Sequence, residues 1–369
     1  MVRLLITSLT ALVLSLAAVN AQTGPINAAS YPPPNQVPDI NSPQVQAWLK
    51  EVNLTGVPPT HLNVPDVKGG APDCAKITPQ NDCYSVCDEC KANDDIITCG
   101  LPNTWGVTFD DGPSPETPRL LDYLKTHNIK ASFFVVGGNV VQYPDILRRE
   151  VQEGHHLASH TWSHYALTSL TNEQIVAEIK WTEKAVFDVT GLKLKYMRPP
   201  YGDINNRVRF ILKQLGYIVV DWTGDEFDTN DWQADNGVPA ATLLAAFTKS
   251  LDTYIAGNKS TGFYCLEHDR SPGTVNLAQQ FIPLGIARNL TFANVPGCQH
   301  DAQPYQSGSA PSNTTTITLA PTSTVSGTSR PTGSTSTRTP VPTGSSANLV
   351  ESMSIASAFV ATVVGFLFV

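Results

Sequence analysis

Short apolar runs alternate with longer amphipathic segments between about residue 104 and residue 298, and this alternation limits the fold more than any other feature. The runs typical of strands are WGVTF (105–109), ASFFVV (131–136), YMR (196–198), YIVVDW (217–222) and GFYCLE (262–267). The segments with a helical pattern are 115–127, 143–153, 172–190, 205–215, 239–256 and 275–288. The alternation predicts an α/β fold with a parallel sheet or barrel. Because chemistry in such folds lies at the carboxyl ends of strands, polar residues that follow an apolar run are candidates for a site.

Residues 22–99 precede this pattern and form an extension rich in proline and cysteine. The segment 43–52 is its one amphipathic stretch and predicts a helix. Five of the chain's seven cysteines lie at positions 74, 83, 87, 90 and 99, and the others are Cys265 and Cys298. We expect disulfides rather than a zinc cluster at Cys87-x-x-Cys90, because the N-terminus indicates an oxidising compartment. The odd number leaves at least one thiol unpaired or paired elsewhere, and the connectivity stays open.

Both ends of the chain are typical of targeting segments. Residues 1–21 have a positive start, an apolar run and a small-residue end, which predicts a secretory signal peptide rather than a membrane anchor. Residues 301–347 are rich in Ser, Thr and Pro and predict a disordered, O-glycosylated stalk. Residues 348–369 end in an uncharged apolar tail and predict a GPI-attachment propeptide, with a tail-anchored helix as the alternative. The small residues near the attachment point are Ser345, Ser346, Ala347 and Asn348.

The overall composition is that of a globular protein, with 41% hydrophobic and 15% charged residues. The net charge of −8 and the lack of a basic run argue against nucleic-acid binding, because no cationic surface is available for phosphates. Four Asn-x-Ser/Thr sequences mark acceptors for N-glycosylation on a secreted chain. These acceptors are Asn53, Asn258, Asn289 and Asn313.

Two motifs follow the pattern of a metal site. Asp110 and Asp111 come directly after the WGVTF run, so one carboxylate can bind a metal while the other faces a water molecule. His160 and His164 are four residues apart, a spacing that places both imidazoles on one face of a helical turn. Two histidines with one carboxylate leave an open coordination position, as in catalytic zinc sites. A turn aspartate and core histidines are the alternatives, and spacing alone leaves His156 open as a ligand.

Three further motifs follow later apolar runs. The rigid loop RPPYG (198–202) can present the Tyr201 N–H to an oxyanion, or it can be a structural Pro-Pro turn. The segment TGDEFDTNDW (223–232) is rich in carboxylates, which also suits a calcium site or a glycosidase. The segment CLEHD (265–269) places His268 just past a strand, where it is either a general acid or a core histidine.

In this order, TFDDG, SHTWSH, RPPYG, DTNDW and LEH resemble the five motifs of the polysaccharide deacetylases, the NodB-homology group of carbohydrate esterase family four. The resemblance implies a distorted (β/α) barrel over residues 100–300, with one divalent metal, Zn²⁺ or Co²⁺. It also implies Asp110 as general base, Asp111, His160 and His164 as metal ligands, Arg198 as the residue that orients Asp110, Tyr201 as the oxyanion N–H, Asp231 as the partner of His268, Trp232 and Leu266 as substrate contacts, and His268 as general acid. His155 matches a position without a ligand role, His156 has no assigned role, and Cys265 and Glu267 depart mildly from the pattern.

Together with the termini, the motifs resemble the fungal chitin deacetylases of this family. The resemblance implies hydrolysis of N-acetyl groups in cell-wall chitin, with chitin and its oligomers as partners and chitosan and acetate as products. The protein is expected to be a monomer, secreted through the ER and GPI-anchored at the cell membrane or transferred to the wall. The alternatives are a deacetylase of another acetylated polysaccharide and a non-catalytic chitin-binding wall protein. A barrel chitinase would need a different carboxylate pattern from DTNDW.

Overall fold

The computed structural model describes residues 26–59, 70–77, 82–257 and 259–308. The predicted signal peptide, the GPI segment, Asn258, Asn313 and the stalk beyond residue 308 lie outside the described residues. In the described ranges, no helix combines the length and the apolar character that a membrane span requires.

The described residues contain eight short strands, and every strand pair is parallel. The strands are β1 (Thr104–Gly106), β2 (Thr108–Asp110), β3 (Ser132–Val135), β4 (His156–Ser159), β5 (Tyr196–Met197), β6 (Ile218–Val219), β7 (Phe263–Tyr264) and β8 (Thr291–Ala293). They form a five-stranded sheet in the order β2-β3-β4-β5-β6 and a three-stranded sheet in the order β7-β1-β8. This confirms the predicted parallel α/β fold.

Isolated parallel bridges join the two sheets into an irregular barrel. Asp110 at the end of β2 pairs with His268, and Leu266 pairs with Asp228. The run 105–109 predicted one strand, but the structure splits it at Val107, so β1 belongs to one sheet and β2 to the other. The break brings the motif after β2 and the motif after β7 side by side.

Helices of the described chain pack around these strands. They are α1 (Pro43–Glu51), α2 (Thr117–Thr126), α3 (Gly137–Gln142), α4 (Pro144–Gln152), α5 (Asn172–Thr190), α6 (Asn206–Gln214), α7 (Ala240–Ala256), α8 (Pro272–Ala287) and α9 (Val295–Cys298). The longest, α5, starts with a capping box between Thr171 and Gln174 and ends at Gly191, whose φ of 74° suits glycine. All six helices predicted in the barrel region are present, while α3, α9, β4 and β8 were not predicted.

The N-terminal extension packs onto the barrel rather than standing apart. Val45 and Trp48 of α1 are buried in the main core, and the Trp48 ring meets Trp181 of α5 edge-on at 5.1 Å between centroids. Ile96 forms a bridge to Val220 beside β6. The predicted extension is therefore part of the barrel's outer layer.

All seven cysteines lie in the described ranges, and six form disulfides. The pairs are Cys74–Cys87, Cys83–Cys90 and Cys99–Cys298, and Cys265 is a buried free thiol. Both cysteines of the C-x-x-C sequence are thus used in disulfides, which confirms the choice against a zinc cluster. Cys99–Cys298 links the start of the barrel region to its last helix, a separation of 199 residues.

The chain stays on the barrel beyond residue 300. Tyr305 pairs with Leu194 in an antiparallel bridge, and its hydroxyl accepts a hydrogen bond from the Leu157 N–H at 3.2 Å. The Lys195 ammonium donates to Asp301 at 2.7 Å. The first residues assigned to the stalk from composition therefore contribute contacts to the folded domain.

Candidate active site

The carboxyl end of β2 positions the two aspartates. Asp110 is the last residue of β2 and is almost fully buried. Its backbone is hydrogen-bonded to the segment after β7: the Asp110 N–H donates to the Glu267 carbonyl at 2.9 Å, and the Asp110 carbonyl accepts from the Asp269 N–H at 3.2 Å. Asp111 then adopts a left-handed backbone with φ 78°. This abrupt change of direction after the strand turns the two neighbouring carboxylates toward different partners.

The two histidines of the second motif follow the carboxyl end of β4. His160 comes one residue after β4, and His164 ends an irregular turn in which Thr161 and His164 have φ values of 68° and 59°. The expected helical turn is therefore absent, and the imidazoles converge because of this bend. Left-handed backbone at non-glycine residues costs about 1–3 kcal/mol each and concentrates at functional sites. Asp111 and Tyr201 share this conformation, so four residues of the site carry it.

Asp111, His160 and His164 form the group that can hold a metal ion among the described residues, with ligand atoms within 4.8 Å of one another. Asp111 Oδ1 lies 3.5 Å from His160 Nε2 and 3.1 Å from His164 Nε2. His160 Nδ1–H donates to the Arg198 carbonyl at 2.7 Å, which leaves a lone pair on Nε2. Asp111 Oδ1 is buried and accepts no hydrogen bond within the described structure. Acceptors that face one another in a buried site are what a divalent cation satisfies, so these residues fit a metal.

Charge and burial prepare the ligands for a cation. Burial opposes ionisation of Asp111, but the nearby imidazoles hold the pKa of its carboxyl well below the usual value. Burial also lowers the pKa of His160 to about 3, and the neighbouring His164 acts in the same direction. An ionised carboxylate and a neutral imidazole are the forms that bind metal.

Asp110 is held beside this group by Arg198, which is fully buried. The guanidinium donates from Nη1 to Asp110 Oδ1 at 2.8 Å and to Thr108 Oγ1 at 3.0 Å, and it lies 4.3 Å from the Phe134 ring centroid. Burial raises the pKa of Asp110 to about 6, although the Arg198 charge opposes the rise. Asp110 Oδ2 lies 3.8 Å from His160 Nε2. The carboxylate thus has one oxygen fixed by Arg198 and the other beside the metal-binding group.

The RPPYG loop follows β5 and turns at Tyr201. Tyr201 has φ 62°, and its ring meets the His164 ring edge-on at 4.7 Å between centroids. The next residue, Gly202, has φ 67°, and a Cβ there would lie 2.7 Å from the Trp222 ring. Glycine is required by both the backbone and the space. The loop therefore brings Tyr201 next to His164 of the group that can hold a metal.

His268 and Asp231 form a second buried pair. His268 Nδ1–H donates to Asp231 Oδ1 at 2.6 Å, and the His268 backbone N–H donates to Asp231 Oδ2 at 2.8 Å. Burial alone would lower the pKa of His268, but Asp231 overrides it and raises the pKa to about 10. The Asp110 backbone pairs with that of His268 across the two sheets, so the imidazole belongs to the residue next to Asp110 on the neighbouring chain segment. It is protonated at neutral pH and can give a proton.

The remaining predicted substrate contacts differ in exposure. Trp232 is 37% exposed and Leu266 only 8%. Trp162 lies within the SHTWSH motif, where an exposed aromatic ring could stack on a sugar, but it is fully buried and donates from Nε1 to the Pro33 carbonyl at 3.1 Å. It is a core residue that anchors the N-terminal extension.

His155 and His156 both have structural partners. The Ala131 N–H donates to His155 Nδ1 at 3.1 Å, and the ring meets Phe133 edge-on. His156 starts β4 and its Nδ1 lies 2.8 Å from the Ser132 hydroxyl. Burial lowers the pKa of both imidazoles to about 3. These histidines hold β3 and β4 together and lie outside the metal-binding group.

The carboxylates of the 223–232 segment do not form a joint site. Asp225 and Glu226 are exposed, Asp228 Oδ1 accepts from the Asn230 N–H at 2.8 Å, and Asp231 pairs with His268.

Sequence reasoning missed Arg270, whose Nη1 donates to Asp111 Oδ2 at 3.3 Å and whose Nη2 donates to Asp235 Oδ2 at 3.4 Å. Its position two residues after His268 was the available signal.

Comparisons with known proteins agree with this geometry. The family model described as "Polysaccharide deacetylase" matches residues 99–220. Chitin deacetylase 1 of Cryptococcus neoformans var. grubii is 39% identical over 310 residues, which are 81% of this chain and 65% of that protein. The chain therefore spans slightly less than two thirds of that relative. Chitin deacetylase 1 of Saccharomyces cerevisiae is 38% identical over 71% of this chain and 80% of its own length.

A similar solved structure is the chitin deacetylase from the fungal pathogen Colletotrichum lindemuthianum. It is 30% identical, with a TM-score of 0.52, and the superposition covers 57% of this chain and 95% of that one. The fold similarity thus extends over nearly all of that protein, and the S. cerevisiae relative is covered by more than two thirds. The chain belongs to the polysaccharide deacetylase family.

Proposed function

We propose that the protein is a metal-dependent deacetylase that hydrolyses the N-acetyl groups of N-acetylglucosamine units in chitin, giving chitosan and acetate. One observation carries the proposal: the group of Asp111, His160 and His164 that can hold a metal lies beside the buried carboxylate of Asp110, whose backbone pairs with that of His268, a protonated imidazole. Amide hydrolysis needs these three parts, because a water molecule must lose a proton and the departing amine must gain one. The names of the relatives supply the substrate class.

Asp110 is the proposed general base. A divalent cation, Zn²⁺ or Co²⁺, held by the three ligands would polarise the acetamide carbonyl and lower the pKa of water from about 15.7 towards 7. Asp110 Oδ1 is fixed by Arg198, so Oδ2 is the oxygen available to accept the proton from the attacking water. The pKa of about 6 leaves Asp110 ionised at neutral pH yet basic enough to take that proton.

His268 is the proposed general acid. The N–H of Tyr201 donates to the oxyanion that forms when water adds to the carbonyl carbon. His268 then transfers its Nε2 proton to the amide nitrogen as the C–N bond breaks, and Asp231 keeps the imidazole oriented through Nδ1. Acetate and a free glucosamine amine result. Trp232 directly follows Asp231 and Leu266 precedes His268 by two residues, and these are the proposed contacts of the sugar.

Acetate release from chitin oligomers tests this function. We expect acetate without chain shortening, loss of the activity after chelation, and recovery on addition of zinc or cobalt. The control is Asp225→Asn, which removes an exposed carboxylate from the 223–232 segment without touching the site. Shorter oligomers without acetate would identify a glycosidase instead, and acetate release that survives chelation would refute the metal dependence.

We further propose that the protein is secreted as a monomer and held at the cell surface by a GPI anchor near Ser345–Asn348. Three disulfides support passage through an oxidising compartment. Asn53 and Asn289 are exposed, as glycan acceptors must be. Release of the protein from intact cells by phosphatidylinositol-specific phospholipase C tests the anchor, and retention of the protein after that treatment would contradict it.

A further inference from the structure

Residues 82–90 of the N-terminal extension, here called the stapled segment, pack against the RPPYG loop and the residues that follow it. The disulfide Cys83–Cys90 closes this segment on itself, and Cys74–Cys87 ties it to the preceding chain. Its backbone runs beside the continuation of the loop: the Ser85 N–H donates to the Ile204 carbonyl at 2.9 Å, and the Asn206 N–H donates to the Asp82 carbonyl at 2.9 Å. The segment is therefore attached to the loop at two points of the main chain.

Two buried side chains of the stapled segment reach into the loop. The Ser85 hydroxyl donates to the Gly202 carbonyl and accepts from the Ile204 N–H at 3.1 Å. The Tyr84 hydroxyl donates to Asp203 Oδ1 at 2.5 Å. These contacts hold the three residues that follow Tyr201, whose own left-handed backbone is strained and persists only where its surroundings fix it.

The same aspartate connects the loop to the segment that follows His164. Asp203 Oδ2 accepts from the Thr168 N–H at 2.8 Å, and the Thr168 hydroxyl lies 2.5 Å from the Tyr84 hydroxyl. Arg207 also belongs to this network, because its Nη2 donates to the Thr168 carbonyl at 3.1 Å. Tyr84 is thus placed at the junction of the loop that carries Tyr201 and the chain that leads away from His164.

From these contacts we infer that Tyr84 and Ser85 are positioning residues for the oxyanion loop. They fix the Tyr201 backbone so that its N–H points at the developing oxyanion. The effect on turnover rests on the proposed function. The claim that Tyr84 and Ser85 fix the conformation of the loop does not depend on it. A donor that is misplaced by about 1 Å can reduce a rate by as much as about 10²-fold, so a network two residues away affects turnover without touching substrate.

The test uses Tyr84→Phe and Ser85→Ala in the full chain, with Tyr196→Phe as the matched control. Tyr196 is also buried, and its hydroxyl also donates to a carboxylate, Asp301 Oδ2, at 2.5 Å. All three changes remove a hydroxyl and little volume, so each protein is expected to fold. Only the first two remove a contact to the RPPYG loop or to Asp203.

Hydrogen exchange of the peptide 199–205 is the first measurement, and it needs neither substrate nor metal. We expect exchange in this peptide to accelerate by about tenfold in Tyr84→Phe and in Ser85→Ala, and to stay at the parental rate in Tyr196→Phe. Unchanged exchange in both test variants, or equal acceleration in the control, overturns the inference.

Steady-state acetate release from the zinc-loaded protein is the second measurement. We expect kcat to fall by about tenfold in both test variants, with KM changed by less than about twofold, because the oxyanion contact forms in the transition state. A lower melting temperature with parental kcat would show a merely structural role and would overturn the catalytic part. If the parental protein releases no acetate, the proposed function fails, while the exchange measurement still decides whether the stapled segment holds the loop.

Discussion

Replacing Asp231 by asparagine removes the charge that keeps His268 protonated. His268 is 8% exposed, and its Nδ1–H lies 2.6 Å from Asp231 Oδ1. Burial alone would lower the pKa of this imidazole below its ordinary 6.5, and the Asp231 carboxylate raises it to about 10. In Asp231→Asn the largest influence that raises the pKa is gone, and only the weaker influences of the Asp111 and Asp110 carboxylates remain, so the pKa falls.

The size of the effect follows from the protonated fraction. With a pKa of about 10, His268 is almost fully protonated at pH 8. A full return to the ordinary histidine pKa of about 6.5 would leave only about 3% protonated at pH 8, so kcat falls there by up to roughly thirtyfold. The activity that depends on the acid persists below the pKa and is lost as the pH rises through it. The basic limb of the profile therefore moves to lower pH in the variant.

Acetate release between pH 5 and pH 10 measures this shift, with Asp225→Asn as the control for a lost negative charge on the same loop. A bound cation lowers the pKa of His268 in every variant, so the difference between profiles is the observable. A basic limb that stays in place in Asp231→Asn, or that moves equally in Asp225→Asn, would refute the assignment of His268 as the acid.

Four other substitutions separate the roles of the site residues from that of His156. Asp110→Asn should reduce kcat by about 10²- to 10⁴-fold while zinc remains bound in equilibrium dialysis, and loss of zinc would contradict its role as base. His160→Ala should lose zinc, whereas His156→Ala should keep it and lower the free energy of unfolding by about 1–3 kcal/mol, because the Ser132 hydroxyl keeps the Val295 N–H as a donor but loses the imidazole as its acceptor. Arg198→Met should raise the pKa of Asp110 above about 6 and move the acidic limb of the pH profile upwards by about one unit, and an unmoved limb would show that Arg198 does not act on Asp110.

The sequence predicted the helices well because their signals are local. Segment 172–190 was predicted from its helical pattern with the bounds of α5, and the structure shows a capping box at Thr171 and a left-handed Gly191 at these ends. β4 was missed because its first residue is His156, and a buried histidine does not resemble a strand residue. Its burial depends on the Ser132 hydroxyl from the neighbouring strand, a contact that no pattern within residues 154–164 contains.

The members of the site were predictable from motif order, but their arrangement was not. The spacing of His160 and His164 suggested a helical turn, whereas the structure has a bend with left-handed Thr161. Arg198 could equally have been a surface residue by sequence, and only the fold shows its guanidinium buried between Asp110 and Thr108. Such contacts join positions about ninety residues apart, and chain periodicity carries no information on them.

In the disulfide-rich extension, local sequence patterns predict the covalent bonds but not the contacts with the candidate site. Cysteine spacing predicted covalent bonds in residues 22–99 but gave no reason for their place in the fold. In the structure, Tyr84 lies within the loop closed by Cys83–Cys90 and meets Asp203 two residues after Tyr201. The short covalent loop restricts the backbone that carries Tyr84 and Ser85, and these two residues transmit the restriction to the strained loop through their hydrogen bonds. Stability of the extension and geometry of the oxyanion donor are therefore coupled, because the same hydroxyls contribute to both.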